Sequence, residues 1–154
     1  MMAKSYHQLY IQTVFSVKYR KALIHSAWKP ELQAIMGQLI KDTGCKTIIV
    51  NGVEDHMHCF FGLKPALSIS EVMKSVKAKS SKWINENGYS THRFEWQRGY
   101  GCFSYSYSHI SRVYNYIKNQ EKHHQQVSFR DEYVRMLEKY EIDYDVRYLF
   151  EEPI

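Results

Sequence analysis

A chain of 154 residues suits one compact domain and leaves no room for a second full one. No run approaches the roughly 20 apolar residues that a membrane helix needs, and no charged-then-apolar leader opens the sequence, so the expectation is a soluble, cytoplasmic protein. The three cysteines, Cys45, Cys59 and Cys102, are odd in number and lack close spacing, which excludes a disulfide framework and a four-cysteine zinc site.

The formal charge of +5 is uneven: residues 131–154 carry eight acidic and three basic side chains, leaving 18 basic against eight acidic before them. A basic body attracts polyphosphate partners through counterion release. Charge alone does not identify a nucleic acid as that partner.

Residues 7–19 are rich in β-branched and aromatic side chains and predict a first strand. Over residues 27–43 the set Leu32, Ile35, Met36, Leu39 and Ile40 recurs at helical spacing, and Gly44 supplies a stop. Residues 47–53 and 56–63 are short apolar runs separated by Glu54 and Asp55, as expected of two antiparallel strands joined by a tight turn. Ser68 and Glu71 have the spacing of a capping box and open a second helix running to about residue 87. Its apolar side carries Val72, Met73, Val76 and Ile84, with Lys74, Lys77 and Lys82 opposite.

The aromatic stretch 94–107 predicts a last strand and its exit, residues 108–124 a third helix, and residues 131–140 a further short one. This order suits an α+β fold with a ferredoxin-like, RRM-like antiparallel sheet, helices mainly on one face, and a C-terminal helix that bears a tyrosine.

Within the third strand His56 and His58 flank Met57, so alternation puts both imidazoles on one side about 7 Å apart, where they can converge on one cation. Two surface histidines on a half-exposed strand would give the same pattern, since two ligands do not make a site. On the 108–124 helix, His109, Arg112, Val113, Gln120 and His123 fall within about 60° of Tyr116, while Ile110, Tyr114 and Ile117 form the apolar side. Most of the 13 tyrosines must be packing residues. Tyr116 differs by its polar stripe, because a phenol that attacks phosphorus needs a cation nearby, and Gln120 one turn on can offer that cation a carbonyl oxygen.

His56-Met57-His58 resembles the histidine-hydrophobic-histidine (HUH) motif, and the run Tyr116-Ile117-Lys118-Asn119-Gln120 resembles the tyrosine helix of single-tyrosine HUH transposases of the insertion-sequence 200/605 family. The order and separation of these motifs also match that family, as do Lys18-Tyr19-Arg20, the helix from Ser68 to Lys82 and the stretch from Trp96 to Ser104, so the resemblance covers about residues 6–125. It implies Mg²⁺ or Mn²⁺ held by His56, His58 and Gln120, with Tyr116 as the nucleophile that cleaves and rejoins single-stranded DNA through a 5′-phosphotyrosine. It further implies subterminal hairpins as the DNA partner, and a homodimer in which the tyrosine helix of one subunit can complete the site of the other.

On this reading residues 1–127 form the transposase domain and residues 128–154 an acidic C-terminal extension of the same domain. Lys74, Lys77, Lys82, Arg93 and Arg98 are candidate DNA contacts, or else a solvated face. Tyr105 and Tyr107 either stack on bases or pack in the core. Cys59 faces the core by alternation, and Asp55 either closes the turn or orients a histidine, with the turn favoured. Two rivals keep the same fold: a domesticated or repeat-associated relative with the same chemistry, and a non-catalytic RRM-like module that binds single strands by stacking on its sheet. A structural zinc protein lacks a closed four-ligand set in the sequence.

Overall fold

The computed structural model describes residues 5–150; Glu151 and Glu152 of the acidic extension lie outside them. Four strands, β1 (Tyr10–Ser16), β2 (Lys46–Gly52), β3 (His56–Gly62) and β4 (Gly101–Tyr105), form one sheet in the order β2-β3-β1-β4 with every pairing antiparallel. Helix α1 (Lys29–Asp42) follows β1, and α2 (Ile69–Glu86) follows β3. After β4 come α3 (Ile110–Lys118), α4 (Gln120–His123), α5 (Phe129–Lys139) and the single turn α6 (Val146–Leu149).

Period-two alternation in β1 and β3 divides the molecule into two cores. Ile11, Phe15, Met57, Cys59 and Phe61 face α1 and α2, where they join Leu32, Met36, Ile40, Val72, Val76 and Ile84. Burial pushes the Cys59 thiol up to about 12, as expected of a packing residue. Val14 and Phe60 face the other way, under Val113 and Ile117 of α3 and Phe129 and Leu137 of α5. The two long helices thus share one face as expected, and the later helices cover the other.

Local signals explain most element ends. Ser68 accepts from the Glu71 amide at 3.1 Å and Glu71 reaches back to the Ser68 amide at 3.2 Å, completing the capping box. The last strand is shorter than residues 94–107. Gly99 has a φ of +79°, which breaks extended pairing, and residues 94–99 are laid instead along α2. There Lys77 donates to the carbonyls of Gln97 and Gly99 at 2.6 and 2.8 Å, Asn85 brackets Phe94, and the Trp96 indole donates to Ser80 at 2.9 Å.

The 108–124 helix is also divided: Tyr107–His109 is a 3₁₀ turn and Asn119, at φ −95° and ψ 23°, separates α3 from α4. Asn51 of β2 donates to the carbonyls of Ile117 and Lys118 at 2.8 and 3.2 Å, fixing the end of α3 over the sheet. This placement corrects the expected helix orientation. Tyr114 is 37% exposed, whereas Val113 and Ile117 pack on Phe60, so Tyr116 lies along the margin of the buried side rather than opposite it.

The turn between β2 and β3 is the tightest point. A Cβ on Gly52 would lie 2.1 Å from the His56 carbonyl oxygen and 2.6 Å from the Met57 sulfur. We therefore expect Gly52→Ala to cost about 2 kcal/mol or more in denaturant unfolding, because backbone and core must both shift. A melt unchanged from the parent would show that the turn relaxes freely.

Candidate active site

Alternation places His56 and His58 on the face of β3 that α3, α4 and α5 cover, and both are fully buried. Each ring has one nitrogen already committed. His56 Nδ1 donates to Asp55 Oδ1 at 2.8 Å, so Asp55 orients this histidine besides closing the turn. His58 Nδ1 donates to Gln12 Oε1 at 3.3 Å, and Gln12 in turn donates to the Tyr105 hydroxyl at 3.2 Å. The two Nε2 atoms are left to face one another's surroundings.

Gln120, also fully buried, brings its Oε1 to 3.1 Å from His56 Nε2, so the break at Asn119 does not carry it away. Lys29, at the start of α1, holds this segment in place: its ammonium donates to the Gly52 carbonyl at 2.9 Å and pairs with Glu121. That pairing holds the Glu121 carboxyl below its ordinary range. One side chain therefore ties the turn before His56 to the turn that carries Gln120.

Two residues that the sequence reading did not select complete the cluster. Glu132 of α5 is 2% exposed and sits among the site residues, and His124 lies beside it. Glu132 Oε1 is 3.3 Å from His56 Nε2, 3.2 Å from His58 Nε2 and 3.1 Å from His124 Nε2. His124 Nδ1 donates to the Val127 carbonyl, so this ring too points its Nε2 inward. The other carboxylate oxygen, Oε2, accepts from the Tyr116 hydroxyl and from Gln120 Nε2 at 3.2 Å. His123 Nε2 stands 3.3 Å from the same oxygen. Helix α5 owes its position to the Ser128 cap, which accepts from the Asp131 amide at 3.2 Å, and to Phe129, whose ring stacks on His56 at 4.1 Å.

The donor set calls for a cation. Three imidazoles whose Nδ1 atoms are donors would, if neutral, turn bare Nε2 lone pairs toward a carboxylate. Protons or a metal ion must fill that gap. Burial pulls the His56 imidazole down, but Asp55 and Glu132 outweigh it and lift it to about 9. Burial keeps His58 below its ordinary value despite Glu132. Burial alone would raise the Glu132 carboxyl, yet the surrounding His58, His124 and His56 hold it far below the carboxylate range. Tyr116 is pushed well above an ordinary phenol by burial and by the Glu132 charge. The imidazole nitrogens of His56, His58 and His124 and a carboxylate oxygen of Glu132 lie within 4.8 Å of one another and fit a divalent transition ion, with the Gln120 amide oxygen 3.1 Å from His56. His124 and Glu132 thus join His56 and His58 in one group of four side chains close enough to hold an ion, a group the sequence reading did not assemble.

Tyr116 and Glu132 open onto a cavity of about 620 Å³ between β4, α3 and α5, whose walls include Arg112, Arg135, Lys139 and Tyr105. Of the candidate DNA contacts, Lys77, Lys82, Arg93 and Arg98 line one separate groove of about 930 Å³, together with Lys18. Lys74 is exposed on α2 outside that groove. Tyr105 is half-buried beside Gln12, and Tyr107 is 67% exposed.

Comparison with known proteins identifies the family and the fold. The family model described as "Transposase IS200 like" matches residues 5–120. The transposase for insertion sequence element IS200 of Salmonella typhimurium is 26% identical over 113 residues, covering 70% of this chain and 73% of its own; that of Salmonella typhi matches equally. Among solved structures, a protein assigned as a transposase from Deinococcus radiodurans superposes with a TM-score of 0.61 at 19% identity, over 78% of this chain and 97% of its own. A REP-associated tyrosine transposase bound to a REP hairpin superposes with a TM-score of 0.60 at 14% identity, over 100% of this chain and 99% of its own. No helix among the described residues is long and apolar enough to cross a membrane. With its motifs, fold and family match in agreement, the chain belongs to the IS200-like transposase family.

Proposed function

We propose that this transposase cleaves and rejoins single-stranded DNA at hairpin-bearing ends through Tyr116. The observation that carries the reading is the meeting, within one chain, of the Tyr116 hydroxyl with the His56, His58 and Gln120 cluster through Glu132. Mg²⁺ or Mn²⁺ held by His56, His58 and Gln120 supplies, when bound, positive charge that polarises the scissile phosphate. The Tyr116 oxygen attacks phosphorus and loses its proton, the bond to the 3′ oxygen breaks, and that oxygen is released as a 3′-hydroxyl. A 5′-phosphotyrosine remains and conserves the energy of the linkage for rejoining to a second 3′-hydroxyl. Asp55 and Gln12 keep the two imidazoles turned toward the site throughout.

The cavity beside Tyr116 is the path for the single strand, with Arg112, Arg135 and Lys139 as phosphate contacts. The groove lined by Lys77, Lys82, Arg93 and Arg98 suits the hairpin stem, with Lys74 as an outlying contact. One fold relative is bound to a REP hairpin, which supports a folded end as the partner. Each chain carries Tyr116 and its histidines together, so a homodimer would present two complete centres, one for each end. A domesticated or repeat-associated copy would use the same residues. The stacking-module rival loses its platform, because Val14 and Phe60 on the available sheet face are buried beneath α3 and α5.

Incubated with a hairpin-bearing single strand and Mn²⁺, the protein should form a covalent adduct on a denaturing gel, and Tyr116→Phe should form none. An adduct from Tyr116→Phe would assign the nucleophile elsewhere. Arg135→Ala should weaken single-strand binding and lower the slope of log affinity against log salt by about 0.7, the share of one phosphate contact. Because the His56 imidazole is raised to about 9 in the metal-free protein, metal must displace its proton below that pH. Calorimetry in buffers of different ionisation enthalpy should detect proton release on Mn²⁺ binding at pH 7 that fades above about pH 9, with affinity rising over the same interval.

A further inference from the structure

The two oxygens of Glu132 face different chemistry. Oε1 meets the three inward Nε2 atoms of His56, His58 and His124, each within 3.3 Å. Oε2 accepts from Tyr116, the only hydroxyl in the cluster. A carboxylate whose one purpose was to close an ion pair would not need to divide itself in this way. Its position in α5 is also not a consequence of surface charge: it stands at 2% exposure on the helix side shared by Phe129 and Leu137, where an unpaired acid would be costly.

We infer that Glu132 joins the metal centre through Oε1, with His124 as a further imidazole ligand, and that it positions the Tyr116 hydroxyl through Oε2. The inference rests on the proposed reading of Tyr116 as nucleophile and deepens it by joining the ion and the phenol through one side chain. A ligand anchored to an ion at one oxygen has its other oxygen fixed, so the ion would hold in place the oxygen that the phenol already meets. His124 is suited to the role because Val127 holds its Nδ1 hydrogen, leaving Nε2 to coordinate. The ligands would then come from β3, from the end of α4 and from α5, spanning 77 positions of the chain from His56 to Glu132 inclusive.

Mn²⁺ is the probe, read by the loss of its free-ion electron paramagnetic resonance signal with the full chain and no DNA. Glu132→Gln keeps the shape and should weaken Mn²⁺ binding by about 10- to 100-fold, the usual effect of losing a ligand-shell partner. Glu132→Asp should restore part of it, and Tyr116→Phe should bind Mn²⁺ as the parent does while forming no adduct. Thermal melting of each variant reports folding. If Glu132→Gln does not fold, an anomalous-scattering map of the parent soaked in Mn²⁺ decides the point, with a peak bonded to Oε1 expected. Unchanged Mn²⁺ affinity in Glu132→Gln, faster adduct formation by that variant, or a peak that leaves Glu132 outside the ligand shell would each overturn the inference. A parent that binds Mn²⁺ through Glu132 yet yields no adduct with any single strand would sink the transposase chemistry and leave the metal assignment standing.

Discussion

The site is organised by a shortage of positive charge. One buried carboxylate lies within hydrogen-bonding distance of three imidazoles whose outer nitrogens are already spent on Asp55, Gln12 and Val127. Little solvent relieves it, since His56 and His58 are wholly buried and Glu132, at the wall of the cavity, is 2% exposed. Such an arrangement persists only if a cation, whether proton or metal, occupies the middle. Packing elsewhere in the molecule can be read as what keeps these four groups from moving apart: Phe129 lies flat on His56, Lys29 ties the β2–β3 turn to α4, and Asn51 fastens α3.

The sheet makes this possible by serving two masters at once. Along β3 every second side chain, Met57, Cys59 and Phe61, enters the core with α1 and α2, while His56, His58 and Phe60 enter the space beneath α3 to α5. A slip of one residue in pairing would send the histidines into the hydrophobic core and methionine into the site. The cost of error is high on both faces, so the register that defines the geometry of the site is held by ordinary hydrophobic burial. Gly52 adds a steric limit at the point where β3 begins, next to the first histidine.

Much of this could be read from residue order, because the relevant signals were local. The histidine pair declares itself through period two, the capping box through Ser68 and Glu71, and the pairing of Tyr116 with Gln120 through one helical turn. What escaped was tertiary. The break at Asn119 depends on Asn51, which lies 68 positions earlier, and the short last strand depends on Lys77 and Asn85 recruiting residues 94–99 to α2. Tyr114 was misassigned because an apolar ring on a helical wheel says nothing about which side the sheet will meet. Glu132 was hidden inside a generally acidic stretch, where charge counting treats all carboxylates alike. A signal was available: on the spacing Phe129, Glu132, Tyr133, Met136, Leu137, this glutamate is the single acid on an otherwise apolar stripe.

The position of α5 bears on how worn gene copies are judged. The family match ends at residue 120, twelve positions before Glu132. A copy interrupted by a stop codon in that interval would still align over the full matched span and keep both histidines, the tyrosine and the glutamine. It would nonetheless have lost the anion around which the imidazoles are arranged, and its helix α3 would be left with one flank bare to solvent. For this chain, intactness is therefore measured past the end of the family match, at a glutamate twelve positions beyond it.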